Sequence, residues 1–259
     1  MVPTDPSPWM PVVARGHIRS RKVTGVTRPV NNDLMDEDAL VSEQMAYYRA
    51  VAPEYAATFS PPGDPLAPFG RAIEVGLDRF RPAGRVLEIA SGSGAWTVHL
   101  LRHASSITAL DSSPEMHRLA REWTHADPRV QYLVADVFSW QPDERYDVVF
   151  VANWLSHVPP GRFNRFWETV RAALDPAGRV FFVDELADAW RYEDVFREEF
   201  VDDPSLPVVR RATPDGRTFR VIKVFWEPDD LRSALNDLGW QARIHTAGPF
   251  FWGDAVCTD

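Results

Sequence analysis

A chain of 259 residues, 45% hydrophobic and 25% charged, has the composition of a globular protein and the length to bury a full core. Its formal net charge of −9 argues against nucleic acid as the main partner, because phosphate binding is driven by clustered Lys and Arg. The single cysteine, Cys257, excludes an internal disulfide framework and suits a cytoplasmic address, and no apolar run approaches the length of a membrane span.

Residues 1–35 carry five basic and two acidic side chains, and Pro3, Pro6, Pro8, Pro11 and Pro29 interrupt any periodicity. A disordered extension is expected there, or sequence upstream of a start at Met35, with no apolar core for a signal peptide. From Asp36 the pattern turns helical, with Tyr47, Tyr48 and Tyr55 in a run that Pro53 is expected to break. A second helix is predicted over Ala67–Arg79, and the two form an expected helical cap within 36–82. A strand follows at Arg85–Ile89, then a glycine loop and a helix over Trp96–Ala104. Ser106–Leu110 reads as the second strand, ending in Asp111, and Ser113-Pro114-Glu115 is a helix start with an N-cap serine. Val130–Val134 is the third strand, followed by Asp136, and Tyr146–Val151 is the fourth, followed by Ala152-Asn153-Trp154. A helix over Pro160–Leu174, a fifth strand over Arg179–Val183 and an insertion over 186–217 come next. Arg217–Trp226 is strand-like, Pro228–Leu238 is a helix and Gln241–Val256 holds a last strand or two. Alternation of strand and helix predicts an α/β fold with a doubly wound, mostly parallel sheet.

The site chemistry gathers at the strand ends. Gly92 and Gly94 permit close backbone approach to a ligand, Asp111 is placed to accept hydrogen bonds from a ribose diol, and Asp136 from an exocyclic amine of adenine. The third glycine of a dinucleotide fingerprint is missing, with Thr97 in its place, and there is no P-loop lysine. These absences weigh against an NAD(P)-dependent oxidoreductase, the alternative on a similar sheet, and against a triphosphate. The histidines on predicted helices lack ligand spacing, so no metal site is expected.

The loop Glu88-Ile89-Ala90-Ser91-Gly92-Ser93-Gly94, with Asp111, Asp136 and the Val148–Pro159 segment in that order, resembles the class I S-adenosylmethionine-dependent methyltransferases, bacterial small-molecule type. The resemblance implies a Rossmann-like seven-stranded sheet whose last strand is antiparallel, over a methyltransferase domain spanning 36–259. It implies S-adenosyl-L-methionine as cofactor, leaving as S-adenosyl-L-homocysteine. Contacts to it are expected from Glu88, Ala90, Ser91, Gly92, Gly94, Asp111, Ser112, Met116, Asp136, Val137 and Asn153. Ala90 stands where the family has its first glycine, and as alanine it is expected to sit in the ordinary β region and tighten the pocket slightly. His157, just past the fourth strand, is the candidate general base for a protic acceptor. Tyr47, Tyr48, Trp154, Trp190 and Tyr192 are candidates for the acceptor pocket, against a plain packing role for each aromatic. The partner expected is a small metabolite methylated at oxygen, nitrogen or carbon, with no nucleic acid or membrane, by a monomer or homodimer; a binding protein that kept the pocket and lost the chemistry is the third alternative.

Overall fold

The computed structural model describes residues 36–55, 66–187, 199–200 and 207–258. The expected extension over 1–35 and the candidates Trp190 and Tyr192 lie outside the described residues. In chain order the elements begin α1 (Glu37–Tyr55), α2 (Ala67–Phe80), β1 (Gly84–Ile89), α3 (Ala95–Leu100), β2 (Ala104–Asp111), α4 (Pro114–Trp123), β3 (Val130–Val134) and β4 (Tyr146–Ala152). They continue with α5 (Phe163–Ala173), β5 (Leu174–Glu185), β6 (Glu199–Phe200), β7 (Val208–Ala212), β8 (Thr218–Ile222), α6 (Pro228–Asp237), β9 (Trp240–Ala247) and β10 (Phe250–Cys257).

The main sheet has seven strands in the order β3-β2-β1-β4-β5-β10-β9. The first five strands pair in parallel, and β10 runs antiparallel to both β5 and β9. The pleat explains why both faces are covered. Leu87, Val149, Val151, Val180 and Phe182 point to one face, where Phe166, Trp167 and Val170 of α5 and Leu231 and Leu235 of α6 pack on them. The intervening Val86, Val148, Phe150, Phe181 and Val183 point to the other, against Ile73 and Leu77 of α2 and Trp96 and Leu100 of α3. Period-two alternation with both sets apolar is the signature of a sheet buried on two sides. Among the described residues no helix is long and apolar enough to cross a membrane.

Three expectations need correction. Helix α1 runs through Pro53 to Tyr55, because a proline in the last turn removes one intrahelical bond near an end where few remain. Helix α3 stops at Leu100 and not Ala104, since Ala104 is buried and pairs with Gly84 as the first residue of β2. Strand β5 starts at Leu174 and not Arg179, with the register jumping from Tyr146–Leu174 to Val148–Arg179 so that the Asp175–Gly178 stretch is taken up as an irregularity. Helix α1 packs against β8 and α4, and α2 against β9 and β10.

Strands β6, β7 and β8 form a separate antiparallel sheet, so the strand read at Arg217–Trp226 joins this small sheet and not the main one. Tyr47 and Val51 of α1 pack against Val209 and Val221 of this small sheet.

Candidate functional site

Strand register places the candidate residues on one edge. Ile89 pairs with Leu110 on one side and with Val151 on the other, and Ala152 pairs with Val183. The next residues, Ala90, Asp111, Asn153 and Asp184, therefore stand in a row at the C-terminal ends of the strands. Strand order reverses between β1 and β4, and it is beyond such a reversal that open α/β sheets bind ligands.

The glycine loop turns through three left-handed residues, Ala90 (φ 55), Gly92 (φ 54) and Gly94 (φ 84). Its two glycines serve different purposes. A Cβ on Gly94 would lie 2.8 Å from Ala120 Cβ, so this glycine lets α3 and α4 come together. A Cβ on Gly92 would meet only the Ala90 carbonyl, 4.0 Å away among the described residues, which leaves its ligand-facing side open. The Asp111 carboxylate holds the loop by accepting from Gly92 N at 2.8 Å through one oxygen and from Ser113 N at 2.8 Å through the other.

Ala90 does not occupy the β region expected of it. At φ 55 its methyl group carries the left-handed penalty, about 1–2 kcal/mol. The Ala90→Gly variant is expected to gain about 0.5–1 kcal/mol once the roughly 0.5–1 kcal/mol entropic cost of glycine is subtracted. A urea midpoint clearly below that of the parent would contradict the strain.

The other cofactor candidates surround this loop. Glu88 is buried, accepts from Thr97 Oγ1 at 2.6 Å, and burial pushes its carboxyl up to about 8. Burial also raises Asp111, against hydrogen bonds from Ser113 and Gly92 that lower it. Ser113 caps α4 through Met116 N, as its sequence predicts, at 3.2 Å. The Ser112 carbonyl accepts from Arg49 of α1 at 2.9 Å, and Met116 packs with Leu119 against Ala52, Tyr48 and Tyr55. Helix α1 thus lies directly over the β2 end. Asp136 makes an Asx turn, accepting from Phe138 N at 3.0 Å through Oδ1, beside the buried Val137. Ser91 is buried next to His117, whose Nδ1 has no partner among the described residues and which burial lowers to about 4.

Across the reversal, Asn153 turns the chain out of β4 at φ 51, a conformation asparagine tolerates, and its N–H donates to Val183 O at 2.8 Å. Trp154 packs on Phe138 with ring centroids 5.8 Å apart, its indole N–H buried without a partner among the described residues. A single 3₁₀ turn, Leu155–His157, then presents His157. Its Nδ1 lies 2.7 Å from the Ile222 carbonyl and its Nε2 2.9 Å from Tyr48 Oη. A carbonyl only accepts, so the proton is on Nδ1 and Nε2 accepts from the tyrosine. Tyr48 Oη in turn accepts from Arg211 Nη1 at 2.9 Å. Burial first, then the cations of Lys223 and Arg211, hold His157 well below the ordinary histidine range, so the imidazole is neutral. Burial raises the Tyr48 hydroxyl, which keeps its proton. Gln44, one turn before Tyr48, donates to His157 O at 3.2 Å and accepts from Ile222 N at 3.1 Å.

The site therefore brings together Gly92, Asp111 and Ser112 with α1, and His157 with Tyr48. Tyr47 is buried beside that pair, its ring edge-on to Tyr48 at 5.2 Å and to Phe219 of the small sheet at 5.9 Å. Gln44, Arg49, Arg211 and Lys223 were not singled out from sequence. For Gln44 a signal existed, since positions four apart on a helix share a face with Tyr48.

A reversing parallel sheet with a glycine loop after β1, an acid closing β2, an Asx turn after β3 and an antiparallel strand beside β5 defines the S-adenosylmethionine-dependent methyltransferase class. The methyltransferase domain family matches residues 86–178. DhpI in its S-adenosylhomocysteine complex is 38% identical, covers 85% of this chain and 98% of its own, and superposes with a TM-score of 0.70. The DhpI–SAM–HEP complex gives 41% identity, 84% and 97% coverage, and a TM-score of 0.70. An uncharacterized methyltransferase of Staphylococcus carnosus is 24% identical over 212 residues, 81% of this chain and 97% of its own. A ubiquinone biosynthesis O-methyltransferase of Xanthomonas axonopodis pv. citri is 29% identical over 170 residues, 63% and 65% of the two chains. The chain belongs to the class I S-adenosylmethionine-dependent methyltransferases. Its cofactor is S-adenosyl-L-methionine, and the oxidoreductase alternative falls away.

The residues present fit that cofactor. The open side of Gly92 admits a ligand, and Asp111 and Asp136 each keep acceptor capacity beyond the bonds they make in the loop.

Proposed function

We propose that the protein methylates a small-molecule acceptor, at oxygen, nitrogen or carbon, between the β4 end and the small sheet. In this reading 36–259 is the methyltransferase domain, acting in the cytoplasm as a monomer or homodimer without nucleic acid. Asp111 accepts the ribose hydroxyls, Asp136 and Val137 meet the adenine, and Glu88, Ala90, Ser91, Gly92, Gly94, Ser112, Met116 and Asn153 complete the cofactor cradle. S-adenosylmethionine supplies an electrophilic methyl group. What the chain supplies is position, for which near-attack geometry contributes on the order of 7–11 kcal/mol.

The observation that carries the acceptor assignment is the Tyr48–His157 pair, a half-buried tyrosine bonded to a buried histidine beside Trp154 at the strand ends. Tyr48 gives its proton to Nε2 and takes one from Arg211, so its remaining lone pair accepts from a protic acceptor group. A proton leaving the acceptor passes to the tyrosine oxygen while the tyrosine proton passes to His157. Support for a small acceptor comes from the burial of His157, from the acidic balance of the chain and from the small-molecule names among its relatives.

Labelled methyl transfer against a metabolite panel tests the reading. With any acceptor that supports turnover, His157→Ala and Tyr48→Phe are each expected to lower kcat/KM by about 10²-fold, while cofactor affinity stays within about threefold. Because His157 stays neutral well below its ordinary range, the acid limb of the pH profile falls below pH 6.5. Unchanged turnover of His157→Ala at saturating substrate removes the base role.

A further inference from the structure

Behind the candidate base lies a buried ionic cluster that the chemistry above does not use. Asp184 and Glu185 close β5 side by side at 1% and 3% exposure, and Lys223, just past β8, is 4% exposed and ion-paired with Glu185. The same lysine donates to Ser156 Oγ at 3.4 Å. Ser156 is the middle residue of the short turn that carries His157, and it is gripped at two further atoms. Its N–H donates to Asp184 Oδ2 at 2.8 Å and its carbonyl accepts from Val224 N at 2.7 Å.

Three consecutive residues of one strand end thus read the turn in order. The Ile222 carbonyl takes the His157 Nδ1 proton, Lys223 takes Ser156 Oγ and Glu185, and Val224 takes the Ser156 carbonyl. A single 3₁₀ turn has poor internal hydrogen bonding and no length from which to draw rigidity. Its geometry must come from outside. The ammonium also compensates two adjacent buried carboxylates, which without it would be an expensive arrangement.

We propose that Lys223 is a positioning residue for methyl transfer: anchored on Glu185 and Ser156, it holds the turn so that His157 keeps Nδ1 on Ile222 and offers Nε2 to Tyr48. This rests on the proposed role of the Tyr48–His157 pair. The charged and titratable groups around the imidazole are Tyr48 from α1, Arg211 from β7, Lys223 beyond β8, and Asp184 and Glu185 behind the lysine. Of the two cations, the lysine ranks first among the charges that disfavour an imidazolium here.

Nitrogen-15 NMR of the histidine rings in the full chain, with His157 assigned from the His157→Ala spectrum, tests the assignment without any acceptor. In the parent His157 is expected to hold the neutral, Nδ1-protonated signature through and below the ordinary histidine range. In Lys223→Met it is expected to lose that fixed tautomer, the midpoint of its titration raised by about one unit or more. Lys223→Arg is expected to restore much of the parental pattern. Should Lys223→Met fail to fold, the paired Glu185→Leu, Lys223→Met variant removes both charges together and reports on the same ring. A folded protein lacking Lys223 whose His157 keeps the parental tautomer and titration overturns the proposal. The outcome is independent of turnover, so a failure of the base role of His157 is seen separately in the kinetic test.

Discussion

Asp111→Ala is expected to weaken S-adenosylmethionine binding by about 10²-fold or more in calorimetry. Two effects add. On the proposed assignment the carboxylate accepts from the ribose hydroxyls, and a hydrogen bond to a charged group is worth roughly 1.5–3 kcal/mol. Since 1.4 kcal/mol is a factor of about ten, two such bonds cover about 10²- to 10⁴-fold. The same carboxylate fixes Gly92 N and Ser113 N at 2.8 Å, so its loss also frees the loop and the start of α4. Asp111→Asn is no milder a test than it looks. An amide nitrogen in place of either oxygen would face a backbone N–H, donor against donor, and one of the two anchors would be lost. A dissociation constant within threefold of the parent for Asp111→Ala would show that the ribose is held elsewhere.

Gly94→Ala is expected to cost about 2–4 kcal/mol of stability, whereas Gly92→Ala costs about 1 kcal/mol and shows itself mainly in cofactor affinity. Both positions are left-handed, so both pay the backbone penalty. Only at Gly94 is there also a wall, with Ala120 Cβ at 2.8 Å and its Cα at 2.9 Å from the added methyl, backbone and helix that cannot swing aside. Denaturant unfolding and thermal melts of the two variants separate these effects, with a loss of Tm on the order of 5–10 °C anticipated for Gly94→Ala. Equal destabilisation by the two substitutions would contradict the distinction between a ligand-facing and a packing glycine.

The parallel half of the sheet was legible because each buried strand is a short apolar run that ends in a polar residue, as at Leu110-Asp111 and Val151-Ala152-Asn153. The start of α4 was legible for a similar reason, since Ser113 and Pro114 act within one turn. What escaped is set by distant partners. Tyr48 and His157 lie 109 residues apart, and the helix that carries the tyrosine survives Pro53, which local rules place at a break. Lys223 reads as one charge in an apolar strand end until Glu185 is brought against it. Ala90 departs visibly from the glycine pattern, yet its left-handed backbone is not legible locally, because the loop and not the residue dictates φ there.

The position of β10 has a bearing on how the chain is made. It follows β9 in the chain, yet it is inserted between β5 and β9 instead of being added outside them. Until Phe250–Cys257 has emerged, β5 is an unprotected edge bearing Val180, Phe181, Phe182 and Val183, and β9 has no place in the main sheet. A nascent chain with its cofactor loop already folded therefore still exposes a long apolar edge of the kind that pairs between molecules. Pairing of the eight-residue β10 closes that edge, so this strand completes the sheet from the inside.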